Sequence, residues 1–442
     1  MRLHQHRARA FLPIAVLFGL LAACGNVAPK LEPVSSAGFI VTLNIAPQEV
    51  QTNLEQKYSG ETLAFEPESG FAILHTMQRP ASSDANVKSV QEDQVTQLPE
   101  TKTSSQSGTL NSHGISSGLA GSHAWSSGST AWGSGWSYWG SGWGAWGGGS
   151  TSWSGETNQS APAPPEANQA IWHQIHLDDA QPLLKKFGAD VKVAVIDTGI
   201  DLEHPIFKNR LASRNEWKDF VDGDRIPTDE SGGNGYGHGT AVAGIIAQVA
   251  PRAMILPIRV LGSDGGGRTA NVIAAIGYAV KMRADIINLS VGTDGWDQAL
   301  YEVCLAAKRH GIRIVASVGN NGLENGVTSP ARFSTDRKTR GWVFGVGSED
   351  ANGQRSSFSA FGEGLNVLAP GEGISSSFPN ARVTTATGTS FATPLMSGAL
   401  ALALSEHRKP IENEVLSLVE FGQVQHLDVQ QMLARSVVNI SP

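Results

Sequence analysis

From about Ile171 onward the chain alternates between two hydrophobic textures. "VKVAVID", "MILPIRVL", "DIINLSVG", "IRIVASVG", "WVFGVGS" and "LNVLAPG" are short, nearly unbroken apolar runs. Each has the length of a strand and reads as one buried on both faces. Between them, "GTAVAGIIAQVA", "TANVIAAIGYAVKMRA", "WDQALYEVCLAAKRHG" and "TSFATPLMSGALALALSEH" carry helical patterns. Apolar strands separated by such helices predict an α/β fold, three layers in α/β/α order around a mostly parallel sheet. Functional side chains are then expected at the carboxyl ends of the strands.

The pattern upstream is different. "GFIVTLN" predicts a strand, "APQEVQTNLEQKYSG" a helix closing on Gly60, and "TLAFEPESGFAILHT" two strands about a Ser-Gly turn. This α+β unit, residues 35–79, is too short to enclose much core, so it is expected to fold against something else. Residues 80–167 are Ser, Gly, Gln, Thr and Pro with few aliphatics, the composition of a linker that cannot bury enough apolar surface to fold. The main body is expected over 168–410, with a helical extension at 411–442.

A chain of 442 residues has room for two to three domains. Charged residues make up 17% and the formal net charge is −7, with no long basic tract, which argues against nucleic acid as a partner. The first 23 residues read as an export signal: Arg2, Arg7 and Arg9, then the apolar run "FLPIAVLFGLLAA", too short to span a membrane comfortably. It ends in "LAAC", which resembles the bacterial lipobox, in which the cysteine, here Cys24, is lipidated and becomes the new N-terminus. An ordinary cleaved signal is the alternative, although Leu21 stands where that reading wants a small residue. The other cysteine, Cys304, lies in a helical pattern and reads as a buried structural thiol.

Three residues carry candidate chemistry. Asp197 ends the strand "VAVIDTGID", His238 stands at a helix mouth in "GYGHGTAVAGI", and Ser390 stands at another in "TATGTSFATPLMSG". A serine hydroxyl is a poor nucleophile until a base takes its proton. His238 suits that role, and a partly buried Asp197 would fix its tautomer and stabilise its cation. Backbone N–H groups at the start of the Ser390 helix would face a developing oxyanion. Asn320, following a strand in "IRIVASVGNNG", offers a second donor, the alternative being a turn asparagine.

"VIDTGID", "GHGTAVAGI", "SVGNNG" and "GTSFATP", with "SSFSAFGEGLNVLAPG" between the last two, resemble the motifs of the subtilisin-like serine proteases, the subtilases, over about Ile171 to His407. The resemblance implies a subtilisin-like fold and a serine endopeptidase of the Asp-His-Ser order, acting on polypeptides through an acyl-enzyme. It implies two substrate-pairing edges, Gly265, Gly266 and Gly267 on one side and Ser290, Val291 and Gly292 on the other. Edges of this kind read backbone, so specificity is expected to be broad. No metal is needed for the chemistry. Where subtilisin has a calcium-binding carboxylate nine residues after its aspartate, this chain has Ile206. Asp219, Asp222 and Asp224 in "DFVDGD" have the spacing of another calcium loop known in relatives such as thermitase, and a solvated acidic turn is the equal alternative. The unit at 35–79 resembles a shortened subtilase prodomain. The expected protein is a monomeric, exported, membrane-anchored or released endopeptidase whose partners are its substrates, its own prodomain and, through a lipid on Cys24, a membrane.

Seven of the eleven tryptophans fall between Trp125 and Trp153, at steps of 7, 4, 3, 4, 3 and 7. That rhythm suits an aromatic helix stripe. However, eight of the seventeen residues from Gly133 to Gly149 are glycine, each costing a helix about 1 kcal/mol against alanine. The stretch therefore reads as a tether, with or without a ligand for its aromatics. Two further functional readings remain: a catalytically silent binding module of the same fold, and a Trp-rich adhesin.

Overall fold

The computed structural model describes residues 38–98 apart from Ser82, residues 125–127, residues 167–406 and residues 424–438. Cys24 and six of the seven clustered tryptophans lie outside these. No helix of the described residues is long and apolar enough to cross a membrane.

The small N-terminal unit is built from strands β1 (Phe39–Asn44), β2 (Gly60–Glu66), β3 (Phe71–Thr76) and β4 (Val87–Glu92), with the helix Gln51–Tyr58. The sheet order is β2-β3-β1-β4, and every pairing is antiparallel. The helix closes one residue before the expected glycine, on Ser59 in the left-handed region (φ 49°). β1 is apolar on both faces for a reason. Val41 and Leu43 pack with Leu54, Tyr58, Ala72 and Leu74 under the unit's own helix. Ile40, on the other face, joins Ala64, Phe71 and Ile73 in a core shared with the main body. The unit thus takes half of its core from its neighbour. It also extends beyond residue 79, because β4 and the short β5 (Val95–Gln97) come from the stretch whose composition reads as linker.

After β6 (Trp125–Ser127), the main sheet is formed by β7 (Lys192–Asp197), β8 (Lys218–Asp219), β9 (Met254–Arg259), β11 (Ile286–Leu289), β12 (Arg313–Ser317), β13 (Val343–Glu349), β14 (Val367–Pro370) and β17 (Gln425–His426). Their order is β17-β14-β13-β12-β11-β7-β9-β8, all parallel. Alternation along β7 shows the two covered faces. Val193 and Val195 meet the helices His238–Val249 and Thr389–Glu406, while Ala194 and Ile196 meet Thr269–Lys281 and Gln298–Arg309. Strand order reverses around β7, and a parallel sheet opens its crevice at that switch point, beyond the strands' carboxyl ends. Asp197 and Ser290 stand there.

Three short strands complete the surroundings of that crevice. β10 (Gly266–Arg268) pairs with β5, and the hairpin β15 (Ile374–Phe378) and β16 (Arg382–Ala386) pairs with β6. In the C-terminal extension, β17 and the helix Val429–Val438 are described. Val429, Met432 and Leu433 join the core that holds Leu177 and Ala180.

Candidate active site

Asp197 is the last residue of β7 and is fully buried. Its Oδ1 accepts from the Thr198 N–H at 2.8 Å and lies 2.7 Å from His238 Nδ1. His238 opens its helix, also with no exposed surface. The two flanking glycines have steric reasons. Gly237 sits at φ 87°, where a Cβ would lie 2.2 Å from the Phe378 ring. A Cβ on Gly239 would lie 2.1 Å from the Gly199 carbonyl oxygen. Gly239 therefore lets the helix mouth close onto the end of β7, and Gly237 leaves room for Phe378 at the end of the strand Ile374–Phe378.

Ser390 is the second residue of the helix Thr389–Glu406. Its neighbour Phe391 holds a ring centroid 5.2 Å from that of His238, which places the two helix mouths side by side. The Ser390 carbonyl would normally accept the N–H four residues on, but that residue is Pro394, which has none. The Ser290 hydroxyl takes the vacancy, donating to the Ser390 carbonyl at 2.8 Å, while the Ser390 hydroxyl donates to the Ser290 carbonyl at 3.2 Å. This reciprocal pair ties the end of β11 to the start of the Ser390 helix. Val291 and Gly292 follow directly, both buried or nearly so.

Asn320 also reaches this helix. Its Oδ1 accepts from the Thr389 N–H at 2.9 Å and the Thr389 hydroxyl at 2.8 Å. With the oxygen end fixed, the amide nitrogen is directed away from Thr389. The order of sequence motifs thus becomes one cluster: Asp197 with His238, Ser390 with Ser290, Asn320 with Thr389.

The glycine edge is paired with the chain's own segment. Gly266 lies opposite Gln97, Gly267 opposite Thr96 and Arg268 opposite Val95, antiparallel. The Leu98 N–H continues the ladder to the Gly265 carbonyl at 3.0 Å. The direction matters: Gly265 abuts Gly235, and the His238 N–H bonds the Gly235 carbonyl at 3.1 Å. β5 therefore runs along the edge toward the His238 helix mouth. Just before it, the buried Asp93 accepts from Arg268 Nε at 2.7 Å and from the Ala270 N–H at 3.0 Å. Lys88 pairs with Glu302, and Gln91 donates to Asp297 at 2.6 Å.

Asp219, Asp222 and Asp224 do not converge on one point. Asp219 and Asp222 meet the buried guanidinium of Arg259, as does Glu230, while the Asp224 carboxylate accepts the Ile226 N–H. Ile206 is buried in the main core. Burial pushes the Cys304 thiol well above its usual range, in keeping with a structural role.

Asp229 belongs to no motif visible in the sequence. It lies nine residues before His238, in a stretch that reads as a polar loop. It is 5% exposed and collects four donors: the Gly237 N–H at 2.9 Å, the Thr240 N–H at 3.1 Å, the Thr240 hydroxyl at 2.6 Å and the Thr198 hydroxyl at 3.3 Å. Burial pushes its carboxyl up to about 7, the donors pulling the other way and Asp197 adding to the rise. A lone aspartate upstream of the motif gives no signal of this role in one sequence.

Residues 188–437 match the subtilase family, Peptidase_S8. The chain is 36% identical over 232 residues to subtilisin DY of Bacillus licheniformis, covering 50% of this chain and 78% of that protein. It is 34% identical over 261 residues to the major intracellular serine protease of Bacillus subtilis (strain 168), covering 56% and 80%. Against subtilisin E of the same organism it is 37% identical over 232 residues, covering 50% and 57%.

Proposed function

The chain belongs to the subtilase family and is a serine-type endopeptidase, and on that premise we propose that it cuts proteins through an acyl-enzyme on Ser390, with His238 as base and Asp197 as its partner. The observation that carries this reading is the 2.7 Å contact between His238 Nδ1 and Asp197 Oδ1, both fully buried, beside the Ser390 helix mouth. With Nδ1 donating to the carboxylate, Nε2 is the basic nitrogen. The Ser390 hydroxyl, bonded here to the Ser290 carbonyl, turns to Nε2 and attacks the scissile carbonyl as its proton leaves. His238 then returns that proton to the departing amine. The Asn320 amide and the backbone N–H at Ser390 meet the oxyanion.

Substrate lies extended between the Gly265–Gly267 and Ser290–Gly292 edges. Because these edges bond backbone, the enzyme accepts many sequences, with an uncharged side chain before the cut. Residues 38–98 act as the enzyme's own prodomain. In support of this, β5 pairs antiparallel with the glycine edge, and Asp93 and Gln91 meet the starts of two helices of the main body. In this reading the protein is exported, held at a membrane through Cys24, and released when the segment after β5 is cut. The test is casein hydrolysis: Ser390→Ala should lower turnover by about 10⁶, since triad members act as a unit, and Asp197→Asn by somewhat less. Wild-type hydrolysis by Ser390→Ala would refute the assignment.

A further inference from the structure

We propose that Asp229 is a positioning residue that holds the mouth of the His238 helix in register with Asp197, and that turnover depends on its being a carboxylate. The inference rests on the triad reading and adds to it. Asp229 Oδ1 receives the N–H of Gly237, immediately before His238, and Oδ2 receives both the N–H and the hydroxyl of Thr240, two residues after it. One buried carboxylate thus grips the backbone on both sides of the imidazole. A third link closes the unit: the Thr198 hydroxyl donates to Asp229 at 3.3 Å and accepts the Gly239 N–H at 3.0 Å. Thr198 follows Asp197 and donates its own N–H to that carboxylate. Asp197, Thr198, Asp229 and the helix mouth are therefore one hydrogen-bonded body, with His238 at its centre.

The clamp also fits the helix's needs. The first N–H groups of a helix lack partners, and the position before this one is a glycine whose side chain cannot supply any. Asp229 supplies the acceptors from a distance, with its charge at the positive end of the helix. An amide is a poor substitute. Asn at 229 would turn an NH2 group toward either the Gly237 or the Thr240 N–H, leaving two donors facing each other.

The charged groups around Asp229 are few. Asp197 and His238 face it across the Thr198 link, the Asp201 N–H bonds the Thr240 hydroxyl oxygen, and the adjacent Glu230 is paired with Arg259. Burial and Asp197 both favour the protonated carboxyl, and no cation among these bonds it directly. Below neutrality a proton on Asp229 removes one of the acceptors. Loss of activity in acid should then follow two protonations, His238 and Asp229.

The experiment uses full-length protein with rates expressed per fluorophosphonate-titrated site. Asp229→Asn should lower kcat by about 10²-fold, the scale of a small misplacement of a catalytic group, with KM little changed. The acid limb of its kcat/KM profile should fall with slope one where the wild type falls with slope two. If Asp229→Asn fails to fold, Thr240→Val removes the hydroxyl that donates to Asp229 and accepts the Asp201 N–H and should lower kcat and reduce the slope of the acid limb, while Thr240→Ser, which keeps the hydroxyl, recovers both. Wild-type kcat with an unmoved acid limb, or Thr240→Val equal to Thr240→Ser, would overturn the proposal. Ser390→Ala in parallel separates the two readings: an active Ser390→Ala sinks the triad, whereas an inactive one beside a normal Asp229→Asn sinks the clamp alone.

Discussion

Replacing Arg259 by alanine should destabilise the main body and make its stability respond to calcium through this loop. The guanidinium is 2% exposed. Nη1 reaches Asp219 Oδ2 at 3.0 Å and Asp222 Oδ2 at 2.7 Å, and Nη2 reaches Glu230 Oε2 at 2.7 Å. Burial lowers its basicity, but Glu230 and Asp219 more than offset this and the net shift is upward. Of its three partners only Asp219 is fully buried, the side chains of Asp222 and Glu230 being 52% and 51% exposed. The half-exposed pairs are screened and contribute little, on the order of 0–1 kcal/mol each. The large cost comes from Asp219, whose charge would be left buried without its cation, about 3–5 kcal/mol. For a body of this size that corresponds to a fall in Tm of roughly 6–20 °C. The vacated site would hold three hard carboxylates, so millimolar calcium should restore part of the loss in Arg259→Ala. Thermal melts of both proteins in chelator and in calcium test this. A melt of Arg259→Ala within about 2 °C of wild type, under about 1 kcal/mol, would refute a buried Asp219–Arg259 pair of this weight. A wild type that gains stability from calcium, with Asp222→Ala abolishing that gain, would also refute it.

Asn320→Ala should keep the fold and lower kcat by about 10²–10³, as loss of one oxyanion donor does; an unchanged kcat would assign the side chain to holding Thr389 only. His204 is buried, which lowers its pKa to about 4, the Arg382 carbonyl and Asp201 opposing only in part. Its unfolded value is higher, so between about 6.5 and 4 the unfolded chain binds the proton that the folded chain refuses, and stability should fall as pH drops through that window. Urea melts at pH 7 and pH 4.5 check it: His204→Gln should show a smaller loss than wild type, and an equal loss would refute the assignment. Asp93→Ala removes the acceptor for Arg268 and the Ala270 N–H, and should weaken inhibition of the main body by the isolated 38–98 segment by at least about 30-fold, the equivalent of roughly 2 kcal/mol. An unchanged inhibition constant would contradict the prodomain reading.

The main sheet and its helices were legible because both faces of every central strand are buried, which leaves near-continuous apolar runs such as "VKVAVID". Asp197, His238 and Ser390 stand out in the sequence because each sits at an element boundary marked by glycine or by a helix start, and the fold sets Asp197 against His238 with the Ser390 helix mouth beside them. What the sequence hid is polar and relational. β4 carries Lys88, Ser89 and Gln91 because its contacts include Glu302 and Asp297, so it reads as linker. Arg259 looks like an ordinary charge at a strand end until Asp219, Asp222 and Glu230 are folded around it. Asp229 acts on a motif nine residues away, through backbone donors that no pattern of side chains announces. The mutual bonds of Ser290 and Ser390 likewise follow from Pro394, whose effect falls on a carbonyl four residues earlier.

The central claim is that Ser390 is the nucleophile, and covalent labelling tests it most directly. The purified full chain is incubated with a fluorophosphonate, digested, and the modified serine is located by mass spectrometry. A single adduct on Ser390 is expected, absent in His238→Ala and in Ser390→Ala, with loss of casein hydrolysis in step with labelling. An adduct on another serine, or full hydrolysis by protein whose Ser390 is completely modified, would contradict it.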